Sequence, residues 1–335
     1  MMVLLSVGIV LVATAAIWLG SGWLEDASAR LAAHYDLPPV VQGGLIAAVG
    51  SSFPELSTVV IAGLAGSFGL GVGAVVGSAI FNILVIPGLA GALAKDNLTT
   101  NRTVVHKETL FYVLSVVVFF LTLALAVVYN PGENRLRGTV TRPLVVFPLL
   151  VYGLYLFLQW QDTTEYGGRP ETFNVDVRKE FGLLVVGLLV ILVAVEQLVD
   201  AVLVIGAAIG TPDFLWGITV VAAATSLPDL LVSVQAAGRE HHVASVSNVI
   251  GSNIFDLLVV VPVGILIVGS TSVQFGLAAP LLVCLLVVTV LLFVLLRTDL
   301  LLAPWEAYLL LLTYGVFILW VGAETLGVSG LLPDA

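Results

Sequence analysis

Charge is scarce in this 335-residue chain: 10% of residues are charged, against 59% hydrophobic, and the mean hydropathy is +1.13. A soluble domain carries about 25% charged residues, so the shortage excludes an ordinary soluble fold and points to an integral membrane protein. Cysteine is almost absent. Cys284 stands alone, which excludes an intramolecular disulfide, and it fits the role of a small core residue. Basic residues are outnumbered, 12 Lys+Arg against 22 Asp+Glu, and the net charge of −10 disfavours nucleic acid as a partner. A nucleotide-binding glycine loop, a metalloprotease HExxH, a serine-nucleophile elbow and an intramembrane-protease Gly-x-Gly-Asp are all missing. The chain is therefore read as no enzyme, with no cofactor.

What is present is a series of apolar runs, each long enough to cross a bilayer as a helix. They are continuous rather than alternating, which excludes a β-barrel. Ten spans are expected, near 2–24, 37–66, 70–93, 108–129, 142–160, 181–205, 211–236, 243–269, 276–296 and 303–322. The first lacks the basic flank of a signal peptide and is kept as a span. Arg30, Lys95, Arg102, Lys107, Arg169, Arg178, Lys179, Arg239 and Arg297 fall on one side of the membrane, and only Arg135, Arg137 and Arg142 on the other. The positive-inside rule then predicts a multi-pass plasma-membrane protein with both termini outside. Trp23, Trp160 and Trp305 suit the interfaces.

One sizeable polar connection, 161–180, separates five spans (1–160) from five (181–335). The halves match at a constant shift, 229 − 55 = 174 residues, with no gap. "GSSFPEL" (50–56) lies on "ATSLPDL" (224–230), and "VVGSAIFNILV" (75–85) lies on "VIGSNIFDLLV" (249–259) with seven of eleven positions identical. Asp26 falls on Asp200 and Gly43 on Gly217. An odd number of spans per half makes the second half enter the membrane in the opposite sense. The fold class expected is all-α, with ten transmembrane helices in two inverted five-helix repeats and broken helices at the midplane, the plan of many secondary transporters.

The breaks come from Pro54 and Pro228. Each lacks an N–H and crowds the carbonyl four residues back, that of Gly50 or Ala224. Irregular backbone at this depth is tolerated only where protein or a water-filled cavity surrounds it. Ser51, Ser52 and Glu55 lie within one turn of the first break, and Thr225, Ser226 and Asp229 repeat them at the second. In the spans that follow, Ser78 and Asn82 share a helix face, as do Ser252 and Asp256. Every donor in this set is oxygen, which suits Ca²⁺ or Na⁺ and not zinc or copper. Three intramembrane carboxylates, Glu55, Asp229 and Asp256, persist as anions only if cations or protons neutralise them. Taken singly, a membrane proline is often a kink, and a serine often bonds back to its own helix. It is the repetition under one shift that favours function. Gly77 and Gly251 fit close helix packing. Glu196, Asp200, Asp26 and Glu306 fit interfacial solvation or ion pairing, and His34, His106, His241 and His242 fall in connections.

The segments "GSSFPEL…GSAIFN" and "ATSLPDL…GSNIFD" resemble the two α-repeats of the cation/Ca²⁺ exchanger superfamily, especially prokaryotic sodium/calcium exchangers. The resemblance implies ion binding where the second, third, seventh and eighth spans meet. By that likeness Glu55 and Asp229 are the central Ca²⁺ ligands, and Ser51, Ser52, Ser78, Thr225, Ser226 and Ser252 help hold Na⁺ or Ca²⁺. Ala48 and Ala222 offer backbone carbonyls, and Asn82 and Asp256 complete the cage. It also implies that the first and sixth spans slide across this core. Three departures bear on ion preference: Asp229 where glutamate is common, Ala79 where asparagine is usual, and Ser51 where threonine is usual. The function expected is Na⁺/Ca²⁺ antiport, electrogenic and by alternating access. A H⁺/Ca²⁺ exchanger, a K⁺-dependent exchanger and, further off, a cation channel are the alternatives. The partners required are the ions and the lipid bilayer.

Overall fold

The computed structural model describes residues 2–35, 48–94, 97–132, 136–165, 176–239 and 241–325. Gly43 and the rest of 37–47, the start of the expected span 37–66, lie outside them, as do residues 166–175 of the 161–180 connection. The described chain is almost entirely helical: α1 (Met2–His34), α2 (Ala48–Ser51), α3 (Phe53–Leu64), α4 (Phe68–Leu93), α5 (Val104–Tyr129), α6 (Arg142–Glu165), α7 (Val177–Ile209), α8 (Asp213–Thr225), α9 (Leu227–Gly238), α10 (His242–Val268), α11 (Phe275–Arg297) and α12 (Pro304–Thr325). Among the described residues eight helices are long and apolar enough to cross a membrane, and the bent pair α8–α9 makes a ninth.

Helix ends follow local chemistry. The Asp176 carboxylate accepts the N–H groups of Arg178 and Lys179 to cap α7, which ends at Gly210 in the left-handed conformation (φ 76°). α1 and α7 run 33 residues each, longer than the expected spans 2–24 and 181–205. The excess carries polar residues past the apolar stretch, so hydropathy alone ended both spans too early. The connections also contain short strands the sequence reading did not anticipate. β1 (Leu98–Thr99) pairs with β4 (Leu301–Leu302), and β2 (Arg137–Val140) with β3 (Thr271–Gln274), all antiparallel. Each pair joins a loop of one half to a loop of the other.

Element boundaries recur at the repeat shift. Moving α2 and α3 by 174 residues gives 222–225 and 227–238, the last turn of α8 and the whole of α9. Moving α4 gives 242–267, against His242–Val268 for α10.

α4 is the axis of the molecule. Its most apolar window is 94% buried, whereas that of α1 is 17% buried, so α1 lies at the periphery. Glycines let backbones approach α4 closely. A Cβ on Gly71 would stand 2.9 Å from the Val59 Cα, and one on Gly73 would stand 2.5 Å from the Phe214 carbonyl oxygen. A Cβ on Gly77 would run into the Ile218 carbonyl, and one on Gly217 into that of Leu70. Gly77 therefore packs as expected, clamping α4 to α8, whereas Gly251, expected to do the same, has open space where a Cβ would stand.

The apolar interior is divided. The larger core surrounds α4, α5, α10 and α11, with Ile80, Ile83, Tyr112, Phe119, Leu257 and Leu281 fully buried in it. A smaller core lies where α1 and α7 pack on each other and on α3, α4 and α8, built on Ile17, Leu24, Ala62, Leu70, Ile191, Leu198, Val202 and Val221. At its centre a Cβ on Gly187 would stand 2.8 Å from the Gly20 carbonyl oxygen. Arg30 ties the two helices at one end, its guanidinium 3.2 Å from Glu180 and 3.8 Å from Asp26.

Candidate ion-binding site

The two breaks place the polar residues. Pro54 and Pro228 each occupy the second position of a helix, α3 or α9, after a one-residue interruption at Ser52 or Ser226. Without a proline N–H the helix cannot continue unbroken, and α8 and α9 meet at 45°. A further irregularity lies at Asp256, which opens a π-helical turn, Asp256–Val260. Pro262 explains it: its ring crowds the Leu258 carbonyl and its missing N–H widens the ladder. Such wide turns are common at functional sites.

Glu55, Asp229 and Asp256 are all buried, as are Ser51, Ser52, Ser78, Asn82, Thr225, Ser226 and Ser252. They come together across the two halves. Ser78 donates to Glu55 Oε1 at 3.4 Å, and its hydroxyl lies 2.7 Å from that of Ser226. One turn further along α4, Asn82 Nδ2 donates to Asp229 Oδ2 at 3.2 Å. The i, i+4 face of α4 therefore touches the acid of each break. Thr225 faces Glu55, and Ser51, its counterpart, faces Asp229, so each hydroxyl serves the acid of the opposite half. Ser252 also faces Asp229, while Ser52 faces Asp256 from beyond hydrogen-bond distance. Glu55 is within electrostatic reach of both Asp256 and Asp229.

The carbonyls are placed differently. Ala222 O accepts the Ser226 N–H at 3.0 Å and the Thr225 hydroxyl at 3.3 Å, so an ion claiming that oxygen would displace the hydroxyl. Ala48 opens α2, the counterpart of the turn that Ala222 opens.

Six oxygens of this set are buried without any hydrogen-bond partner: Ser52 Oγ, Glu55 Oε2, Asn82 Oδ1, Asp229 Oδ1 and both oxygens of Asp256. Buried polar atoms are ordinarily paired. No basic side chain answers them, since the described ion pairs are those of Arg30. Five of the six oxygens belong to carboxylates and an amide carbonyl, which can only accept, so what would satisfy them is a cation, a proton or the O–H of a water. Among the described residues no three acidic, histidine or cysteine side chains form a metal site by themselves. Carboxylates would have to share a cation with hydroxyls and amides, the mixed oxygen set that Ca²⁺ takes.

Three contributors were not singled out from the sequence: Asn253, Tyr112 and Asn248, the last of which faces Asp229. Asn253 accepts from Asn82 Nδ2 at 3.0 Å and donates to the Ala79 carbonyl at 3.2 Å and to the Tyr112 hydroxyl at 3.1 Å. Since 253 − 79 = 174, Asn253 crosses to its own repeat mate, and the small Ala79 leaves room for it. The mismatch of "GSAIF" with "GSNIF" was the available signal. Tyr112, fully buried on α5, carried none. Glu196 and Asp200 are exposed on α7, and Glu306 accepts the Ala303 N–H at 2.8 Å to cap α12.

Known proteins resemble the chain over most of its length. An uncharacterized membrane protein of Methanocaldococcus jannaschii, MJ0091, is 32% identical over 259 residues, 76% of this chain and 80% of the relative. The sodium/calcium exchanger MaX1 of Methanosarcina acetivorans is 23% identical over 89% of this chain and 93% of its own. The sodium–calcium exchanger NCX_Mj, in a structure soaked with Na⁺ and Sr²⁺, matches with a TM-score of 0.63 and 28% identity, over 94% of this chain and 98% of that one. The profile of the sodium/calcium exchanger proteins matches residues 5–161 and 179–323, nearly the whole chain, which therefore belongs to that family of multi-pass membrane transporters.

Proposed function

We propose that this chain is a secondary antiporter that exchanges Na⁺ for Ca²⁺ by alternating access, electrogenically, with Glu55 and Asp229 as the central ligands. Asp256, Asn82 and the hydroxyls of Ser51, Ser52, Ser78, Thr225, Ser226 and Ser252 complete the cage, with the Ala48 and Ala222 carbonyls available to it. The observation that carries the reading is the set of six unpartnered buried oxygens drawn from both halves. Up to three negative charges without a basic partner cost ~2.5–3.5 kcal/mol each at the bilayer centre on insertion scales, and more on others. One Ca²⁺ or several Na⁺ would offset that cost about equally. Because the same oxygens serve both ions, neither binds well while the other is present, and competition couples the two fluxes.

The architecture read with this function is ten spans in two inverted repeats, 1–160 and 181–335, joined by a cytoplasmic 161–180 connection, with both termini outside. The recurrence of helix boundaries at the 174-residue shift and the exchange of loop strands between halves support it. The extensive packing of α1 on α7 supports their moving as a pair across the rest.

The test is flux in proteoliposomes. Vesicles loaded with Na⁺ should accumulate ⁴⁵Ca²⁺, faster when an imposed voltage favours the entry of positive charge into the external medium. Equal uptake driven by an outward proton gradient without Na⁺ would replace this reading with H⁺/Ca²⁺ exchange, and a requirement for K⁺ beside Na⁺ would replace it with the potassium-dependent form.

A further inference from the structure

A polar cleft of about 450 Å³ opens between α1 and α9 beside the site. Trp18, Gly22 and Glu25 line one wall, and Pro228, Gln235 and Arg239 the other, with Asp26 and His241 at the rim. Pro228 is the residue before Asp229, so the cleft reaches the second break. Glu25 is half-buried, whereas Asp26 is exposed. The Glu25 backbone packs on the first break, where a Cβ on Gly50 would stand 3.6 Å from the Glu25 Cα. The charges that act on Glu25 are those of Asp229 and Asp26.

The charged neighbours of Glu25 leave its carboxylate uncompensated. Arg30 is taken by Glu180 and Asp26, and Arg239 stands at the end of α9 with no ion pair among the described residues. Behind Glu25, Asp229 Oδ1 is buried without a partner, and so is Ser21 Oγ, one turn earlier on α1. A half-buried carboxyl group thus lines the cleft within electrostatic reach of Asp229, an acid of the cage with one oxygen still lacking a ligand. No repeat counterpart shares this role, since 25 + 174 gives Val199.

We propose that Glu25 is a staging ligand for the transported divalent cation. It holds the partly hydrated ion in the cleft, with the Gln235 amide opposite, before Asp229 draws it into the cage or after Asp229 releases it. This rests on the ion-cage reading above. It adds a residue that acts on one face of the membrane only, because Arg239 and His241, in the connection after α9, line the cleft.

The experiment uses the full chain in vesicles of known orientation, with ⁴⁵Ca²⁺ varied on one face at a time. Glu25→Gln should raise the half-saturating Ca²⁺ concentration on the cleft face about tenfold, the pull of one solvated carboxylate on a divalent ion about 5 Å away. The opposite face should stay unchanged. Glu25→Asp, which keeps the charge, should restore most of the loss, and it serves as the folding-safe variant. A half-saturation unchanged on the cleft face, or shifted equally on both faces, overturns the proposal. Glu55→Gln in the same vesicles separates the two readings: normal flux there ends the cage, whereas a dead Glu55→Gln beside a silent Glu25→Gln ends only the staging role.

Discussion

Replacing Asn82 by aspartate tests the cage through its ion preference. Asn82 Nδ2 now donates to Asp229 Oδ2 across 3.2 Å, a neutral donor against an anion. Aspartate is nearly isosteric and would place a second carboxylate at about that separation. At an effective dielectric constant of about 20, two unit charges 3.2 Å apart repel by about 5 kcal/mol. The pair must therefore hold a proton or a cation between its oxygens whenever the site is empty. Proton binding would then compete with Ca²⁺, and release of Ca²⁺ would favour uptake of a proton. Purified Asn82→Asp protein in Na⁺-free vesicles should accumulate ⁴⁵Ca²⁺ against an outward proton gradient, where the unmodified chain should not. Asn82→Ser removes the amide without adding charge and should leave the counter-ion unchanged. If Asn82→Asp transports with unaltered Na⁺ dependence and no response to the proton gradient, Asn82 does not face Asp229 in the working protein.

Glu55→Gln and Asp229→Asn should each abolish Ca²⁺ flux while the purified protein keeps its gel-filtration profile. Normal flux in both would remove these residues from the site. Asn253→Ala strips three hydrogen bonds that join α4, α5 and α10 and leaves the Ala79 carbonyl and Tyr112 hydroxyl without their donor. A loss of about 1–3 kcal/mol is expected, read as a lower melting temperature in detergent. Gly77→Ala forces its Cβ into the Ile218 carbonyl and should cost about 1–3 kcal/mol by overpacking, whereas Gly153→Ala, with open space around it, should be silent. Equal melting temperatures for the two glycine variants would contradict the close approach of α4 and α8.

The residues of the candidate site were legible in the sequence for particular reasons. Pro54 and Pro228 act locally through a missing N–H, so the breaks they make are written in the chain itself. Glu55, Asp229 and Asp256 were conspicuous because a carboxylate is costly in an apolar span. The constant shift then paired them without any three-dimensional knowledge. What escaped has a common cause. Asn253 and Tyr112 meet across 141 residues of sequence, and Glu25 meets Gly50 through packing of α1 on the break. Such contacts depend on how helices lie against one another, which neither hydropathy nor periodicity records. The short strands were hidden for a related reason: two-residue ladders such as Leu98–Thr99 with Leu301–Leu302 need a partner loop from the other half. The full length of α1 and α7 was hidden by their polar ends.

The division of the apolar interior carries a mechanical consequence. α1 and α7 pack on each other more extensively than any other helix pair and are tied by the Arg30–Glu180 pair, whereas a polar cleft separates α1 from α9. If the two long helices move together, a covalent link within the pair should be tolerated and a link across the cleft should not. With Cys284 replaced by alanine, cysteines at Arg30 and Glu180 joined by a short bifunctional thiol reagent should keep most of the Na⁺-driven Ca²⁺ flux. Cysteines at Trp18 and Leu231, on facing walls of the cleft, should lose it on reaction and regain it on reduction of a cleavable reagent. The unlinked double variants control for the loss of the ion pair itself, in which Arg30 is half-exposed and Glu180 is buried. Flux that survives the link across the cleft would mean that the ions pass without the α1–α7 pair moving relative to α9, and the cage would then have to open by another route.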